Sequence, residues 1–188
     1  MRIIPKSIPE CMLYKRALLG ESPVWSIDEQ CLYWVDIEGR TFNRFDPKNS
    51  KNVAIDTGIR VSALALRSSG GFIVATEFGF QFYDSEKNRF APIADPEKNK
   101  PNNRFNDGRC DRAGHFWAGT MVEKGDQTAD AGLYCINENL KCNKKYRDLI
   151  LANGLAWSPD NKIMYLADTR RPIVWAFDFD IDNGDIFN

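Results

Sequence analysis

The sequence is short of most features that mark a specialised class of protein. It has one histidine, His115, so any Ser-His-Asp or Cys-His mechanism would have to pass through that imidazole. Its five cysteines, Cys11, Cys31, Cys110, Cys135 and Cys142, are odd in number, scattered and without a CxxC pair. That pattern argues against a disulfide scaffold or a zinc module, and fits reduced thiols in a cytoplasmic protein. Neither sign of charge is in excess: 25 Lys and Arg against 26 Asp and Glu leave a net −1. No basic footprint for nucleic acid or an anionic membrane is present. No run approaches the roughly 18 apolar residues of a membrane span. Pro5, Pro9 and charges interrupt the N-terminal stretch, so no signal peptide is expected there. A sustained helical stripe is missing as well.

What the chain does have is an internal repeat. Trp25-Ser26-Ile27-Asp28, then Leu32-Tyr33-Trp34-Val35-Asp36, then Phe45-Asp46 recur 132 positions later without a gap. The second copy reads Trp157-Ser158-Pro159-Asp160, Met164-Tyr165-Leu166-Ala167-Asp168 and Phe177-Asp178. Two weaker copies lie between, with Ile73 and Phe116 in the place of Tyr33, giving steps of 40, 43 and 49 residues. Short apolar runs, polar turns and aromatic or β-branched runs at this period predict an all-β chain built from β-propeller blades. Blades are expected to begin near residues 20, 61, 104 and 151, within a single domain over 1–188. Asp46–Ser50 and Asp182-Asn183-Gly184 read as hairpin turns. Residues 10–19 read as an extra strand placed before the first blade.

Three segments, GESPVWSIDEQCLYWVDIEGRTFNRFDP, RFNDGRCDRAGHFWAGTM and ANGLAWSPDNKIMYLADTRRPIVWAFDFDIDNGDIFN, resemble the gluconolactonase, regucalcin and luciferin-regenerating enzyme family. The resemblance runs from about Leu19 to Asn188. It implies a six-bladed propeller with a divalent cation on its top face, and lactone hydrolysis as the activity. Four blades fit in this chain, so a C-terminal truncation is expected. By the same resemblance Glu21 and Asn153 are metal ligands, and Arg104 and Asn106 contact substrate. The family's general-base aspartate belongs to a later blade, and no residue of this sequence matches it. An acidic substrate contact should follow Gly119-Thr120-Met121; Glu123 is near, but simple register places Lys124 there.

The residue types are chemically coherent. Glu21, Asn106 and Asn153 each open a repeat, and equivalent positions of successive blades face one channel. One carboxylate with amide oxygens suits a hard cation, Ca²⁺ first, with Mg²⁺, Mn²⁺ or Zn²⁺ as alternatives. Arg104 offers a fixed fork of donors to a hydroxylated or anionic substrate. Taken singly, Glu21 reads as a solvated carboxylate, and Asn106-Asp107-Gly108 is a turn signal in its own right. It is the joint match that gives these positions a metal-facing role. Other features read as structural. His115 sits beside Phe116-Trp117 in a strand, and the Trp and Phe positions form blade core. Asp178, Asp180 and Asp182 mimic the start of a calcium loop, but Gly184 falls one place late, so a polar hairpin is expected. Asp95–Asn103 reads as a solvated inter-blade loop, and Met121–Gly132 as either a lid or an ordinary connection.

The leading function is therefore a divalent-metal-dependent hydrolase of a sugar lactone such as a gluconolactone. The alternative is a truncated, non-catalytic propeller fragment acting as a calcium-binding or interaction module. A WD-type scaffold lacks its dipeptides. The expected partner is a small lactone, not nucleic acid or membrane, with self-association through exposed blade edges.

Overall fold

The structure is a computed structural model describing residues 9–126 and 128–187; the N-terminal stretch around Pro5 and Gln127 of the Met121–Gly132 segment lie outside these. Sixteen strands form four four-stranded sheets, and each sheet is an antiparallel meander in chain order. Blade 1 holds β1 (Gly20–Ser26), β2 (Cys31–Asp36), β3 (Thr41–Asp46) and β4 (Lys51–Asp56). Blade 2 holds β5 (Val61–Leu66), β6 (Phe72–Thr76), β7 (Gly79–Asp84) and β8 (Arg89–Ala94). Blade 3 holds β9 (Asn103–Cys110), β10 (Phe116–Val122), β11 (Ala131–Ile136) and β12 (Cys142–Leu149). Blade 4 holds β13 (Ala152–Trp157), β14 (Ile163–Asp168), β15 (Ile173–Asp180) and β16 (Asp185–Phe187). No helix occurs among the described residues.

The first strand of each blade lies innermost: β1 packs on β5, β5 on β9, and β9 on β13. Between neighbouring blades sits an apolar cluster. Tyr33, Phe42, Leu64, Phe72 and Tyr83 join blades 1 and 2. Phe80, Phe105, Phe116 and Tyr134 join blades 2 and 3. Trp117, Leu133, Met164, Leu166 and Phe177 join blades 3 and 4. Their rings meet edge-on or tilted, as in Tyr33 with Phe72 at 4.8 Å and Phe80 with Phe105 at 4.6 Å, the arrangement favoured by ring quadrupoles. The inner strands approach closely enough to demand glycine. A Cβ on Gly119 would lie 2.3 Å from the Ala152 Cβ, and one on Gly108 would lie 2.8 Å from the Trp117 carbonyl oxygen.

Three expectations need correction. Residues 10–19 form no extra strand; β1 begins at Gly20 and residues 9–19 are irregular. A strand needs a paired edge, and this segment is held differently. Lys15 Nζ donates to Asn43 Oδ1 at 2.9 Å, and the amides of Leu18 and Leu19 donate to the Asp36 carboxylate. Asn106-Asp107-Gly108 is not a turn but lies inside β9, with Asp107 opposite Gly119. Asp95–Asn103 is not solvated throughout: Glu97 is buried, accepting from the Tyr134 hydroxyl at 2.5 Å and from Asn103 Nδ2 at 2.6 Å.

Candidate metal and substrate site

Backbone hydrogen bonds fix which residues correspond between blades. The amides of Ile37, Glu77, Glu123 and Thr169 donate to the carbonyls of Leu19, Arg60, Asn102 and Leu151 respectively. Two residues beyond those carbonyls stand Glu21, Ser62, Arg104 and Asn153. The counterpart of Glu21 and Asn153 in blade 3 is therefore Arg104, not Asn106. All three expected positions lie within the inner strands rather than ahead of them. Each inner strand is irregular at this level: between Glu21 and Val24, at Ser62, at Asn106, and between Asn153 and Ala156. A bulge adds an unpaired residue and re-aims its neighbours. Ser22 and Gly154, which the 132-residue repeat superposes, both take left-handed backbone at φ 51° and 64°.

Side chains of the bulges join one blade to the next. Ser22 Oγ accepts from the Leu64 amide at 3.0 Å, and Ser62 Oγ donates to the Phe105 carbonyl at 2.7 Å. Asn106 Nδ2 donates to the Ala152 carbonyl at 2.9 Å, and Asp107 Oδ2 accepts from the Leu155 amide at 3.1 Å. Buried Asp36 and Asp168 hold the chain as it enters β1 and β13. Asp36 accepts from the amides of Leu18, Leu19 and Gly39, and Asp168 from those of Ile150 and Leu151. Burial raises both carboxyls, but these bonds, joined at Asp168 by the Arg171 guanidinium, outweigh it and hold them below the usual carboxylate range.

Glu21, Asp107 and Asn153, from blades 1, 3 and 4, line one cavity of about 430 Å³. Partial burial and then the charge of Asp107 push the Glu21 carboxyl up, against the opposing bond from the Ser22 amide. A raised Glu21 carboxyl beside Asp107, with an amide oxygen alongside, forms a donor set that a hard cation would neutralise. The chemistry of the set fits a divalent ion. The Asn153 oxygen also accepts from the Gly154 amide at 3.0 Å, and its nitrogen reaches Thr169 Oγ1 at 3.3 Å. No group of three or more His, Cys, Asp and Glu side chains arranged to hold a metal occurs among the described residues, so amide oxygens and water would have to complete the shell.

Arg104 turns toward the other side of Asn106. Its Nε donates to Glu123 Oε1 at 2.9 Å, and its Nη1 to the Phe105 carbonyl at 3.0 Å and Asn106 Oδ1 at 3.5 Å. Asn106 thus touches Arg104 through its oxygen and blade 4 through its nitrogen. The carboxylate that follows Met121 and pairs with Arg104 is Glu123, and Lys124 keeps the place that simple register gives the expected acidic substrate contact. Glu123, Arg104 and Arg60 line a second cavity of about 320 Å³. Sequence reasoning assigned no site role to Asp107 or Arg60. Asp107 adjoins Asn106 in the same motif, where its turn propensity masked it; Arg60 carries no local signal.

The features read as structural are engaged in the scaffold. His115 Nδ1 meets Asp111 Oδ2 at 2.8 Å, and the Trp117 indole donates to the same oxygen at 2.9 Å. Asp180 accepts from the amides of Asp182 and Asn183 within the β15–β16 hairpin. No helix among the described residues is long and apolar enough to cross a membrane.

Residues 19–188 match the family model of the SMP-30/gluconolactonase/LRE-like region. Rabbit (Oryctolagus cuniculus) regucalcin is 37% identical over 186 residues, covering 95% of this chain and 61% of that protein. The 6-deoxy-6-sulfogluconolactonase of Pseudomonas putida is 33% identical over 173 residues, covering 92% and 59%. Among solved structures, luciferin-regenerating enzyme superposes with a TM-score of 0.86 at 30% identity, covering 93% of this chain and 60% of that one. The calcium-binding protein regucalcin of Agrobacterium tumefaciens superposes at 0.87 with 25% identity, covering 94% and 59%. The chain thus spans about 61% of the length of the curated relatives it matches.

Proposed function

The chain belongs to the SMP-30/gluconolactonase/LRE-like family, and from that premise we propose that it carries the cation and substrate arms of a divalent-metal-dependent lactonase acting on a sugar lactone such as a gluconolactone. The observation that carries this reading is the convergence of Glu21, Asp107 and Asn153 on one cavity, with Arg104 and Glu123 lining a second and Asn106 linking Arg104 to blade 4. Glu21 and Asn153 are the proposed metal ligands, with Asp107 lowering the potential around them. Ca²⁺ suits this oxygen set best, and Mg²⁺, Mn²⁺ or Zn²⁺ are alternatives. A bound divalent cation would supply a Lewis acid that polarises an ester carbonyl. Arg104 and Asn106 orient the ring hydroxyls, and Glu123 fixes the Arg104 fork while keeping acceptor capacity of its own.

No side chain here is assigned as the general base, a contribution of about 10²–10⁴-fold in rate. Weak turnover by these 188 residues is therefore proposed. The unassigned general base supports a second reading, a non-catalytic calcium-binding or interaction module. Calorimetry with Ca²⁺, Mg²⁺, Mn²⁺ and Zn²⁺ on wild type and Glu21→Gln, beside pH-stat hydrolysis of D-glucono-δ-lactone, separates the two. Binding that is weakened in Glu21→Gln, together with metal-stimulated hydrolysis, is expected. Equal binding by both proteins would remove Glu21 from the site, and binding without hydrolysis would favour the module.

A further inference from the structure

Arg60 stands at the mouth of the second cavity, at the last position before β5, and belongs to none of the repeat's recurring residues. Its guanidinium reaches across two blades. Nη1 and Nη2 donate to the two oxygens of Glu123 at 2.5 and 3.2 Å, and Nε pairs with Glu77 Oε2 at 3.1 Å. The Arg60 amide also donates to Glu77 Oε1 at 2.9 Å, so one carboxylate fastens both ends of the residue. Glu77 and Glu123 occupy corresponding positions, one residue beyond the second strands of blades 2 and 3. Arg60 therefore bridges the same carboxylate in two successive blades. Glu123 Oε1 accepts from Arg104 Nε as well. The result is a continuous chain Glu77–Arg60–Glu123–Arg104.

Resting on the lactonase reading above, we propose that Arg60 is a positioning residue for substrate: held by Glu77, it clamps Glu123 and thereby sets the direction of the Arg104 fork toward the lactone. The argument is one of constraint. Without Arg60, the Glu123 carboxylate would be held by Arg104 Nε and free to turn about that bond, while Arg104 keeps its contacts with the Phe105 carbonyl and Asn106. Two parallel bonds from Arg60 to Glu123 remove that freedom, as a bidentate guanidinium–carboxylate contact does. Glu38 lies within 3.5 Å of Arg60 Nη1 and 3.7 Å of Arg104 Nη2, closing the frame from blade 1. The side chain of Arg60 is 16% exposed, so it belongs to the mouth and not to an apolar cluster. Lysine cannot reproduce it, because a single ammonium cannot present a planar fork to Glu123 while reaching Glu77.

The test measures two affinities separately, with Mn²⁺ as the metal probe and the non-hydrolysable D-glucono-1,5-lactam as the substrate probe. In Arg60→Met, lactam binding is expected to weaken by about tenfold or more, the scale of a lost charge-assisted contact. Mn²⁺ affinity should change by less than about twofold, because Glu21 and Asn153 lie in the other cavity. Arg60→Lys and Glu77→Gln should fall between. Lactam binding to Arg60→Met equal to wild type, or a parallel loss of Mn²⁺ and lactam, would overturn the positioning role and leave the lactonase reading standing. If wild type binds Mn²⁺ but no lactam, the lactonase reading fails and this inference with it. Should Arg60→Met not fold, wild-type lactam affinity in Glu77→Gln would overturn the inference.

Discussion

At the scale of single residues, the charged groups of this chain divide into those that build the scaffold and those that face the cavities. Asp36 and Asp168 are builders. Each lies buried at the end of a second strand and accepts the amides that lead into an inner strand, two and three residues ahead of Glu21 or Asn153. Asp168 also pairs with Arg171 at 2.7 Å. Asp168→Ala strands two amides and a guanidinium, and should destabilise the fold by about 3 kcal/mol or more; a urea titration measures it. The pH dependence has a definite direction. Both folded-state carboxyls lie below the ordinary unfolded value of about 3.9. Their contribution is therefore complete above that pH and is lost as pH falls through the folded value. Between pH 5 and 2, stability should fall less steeply in Asp168→Asn than in wild type. Parallel curves would show that Asp168 folds with an ordinary carboxyl. The repeat displayed Asp36 and Asp168 in the sequence, but their task depends on bonds across 17 and 18 positions, which a linear pattern does not carry.

At the scale of elements, the strand pattern was legible where alternation, turn and repeat agreed. β2 and β14 follow from the shared aromatic run, and the β3–β4 and β15–β16 hairpins from their polar turns. Asn106-Asp107-Gly108 was misread because its turn propensity is local, whereas pairing with β10 is long-range and prevails. Gly108 is there for the close approach of Trp117 and Ala63, not for a turn. Residues 10–19 read as a strand, yet they have no partner edge among the described residues. The repeat steps themselves carry Glu21 to Arg104 and on to Asn153, the register that the backbone bonds show; Asn106, two residues further on, is the unpaired residue of the β9 bulge. The contact between inner strands gives a test at this scale. Gly119→Ala drives a methyl into Ala152 and should cost about 1–3 kcal/mol. A compensating Ala152→Gly in the same protein should recover much of the loss in thermal melts, and additive losses would contradict the packing described.

At the scale of the whole molecule, the four blades are joined by apolar clusters at each interface and by one line of polar bonds through the inner strands. The cation cavity draws on blades 1, 3 and 4 together, so occupancy should tie them further. A ligand at about 100 times its Kd stabilises by about 2.7 kcal/mol. Saturating Ca²⁺ should therefore raise the Tm of wild type and leave Glu21→Gln nearly unmoved. The fold class was legible because every blade repeats the same burial problem. The chain of charges from Glu77 to Arg104 was not, because Arg60 and Glu123 stand 63 positions apart and meet only once blades 2 and 3 pack.

The most direct test of the central claim, that Glu21 and Asn153 share one cation, is anomalous diffraction from crystals of this chain soaked in Mn²⁺. A single strong peak within coordinating distance of a Glu21 carboxylate oxygen and the Asn153 side-chain oxygen, with water completing the shell and Asp107 nearby, is the predicted result. A peak at the Asp178–Asp182 hairpin instead, or an empty cavity at Mn²⁺ concentrations that saturate the protein in solution, would contradict it.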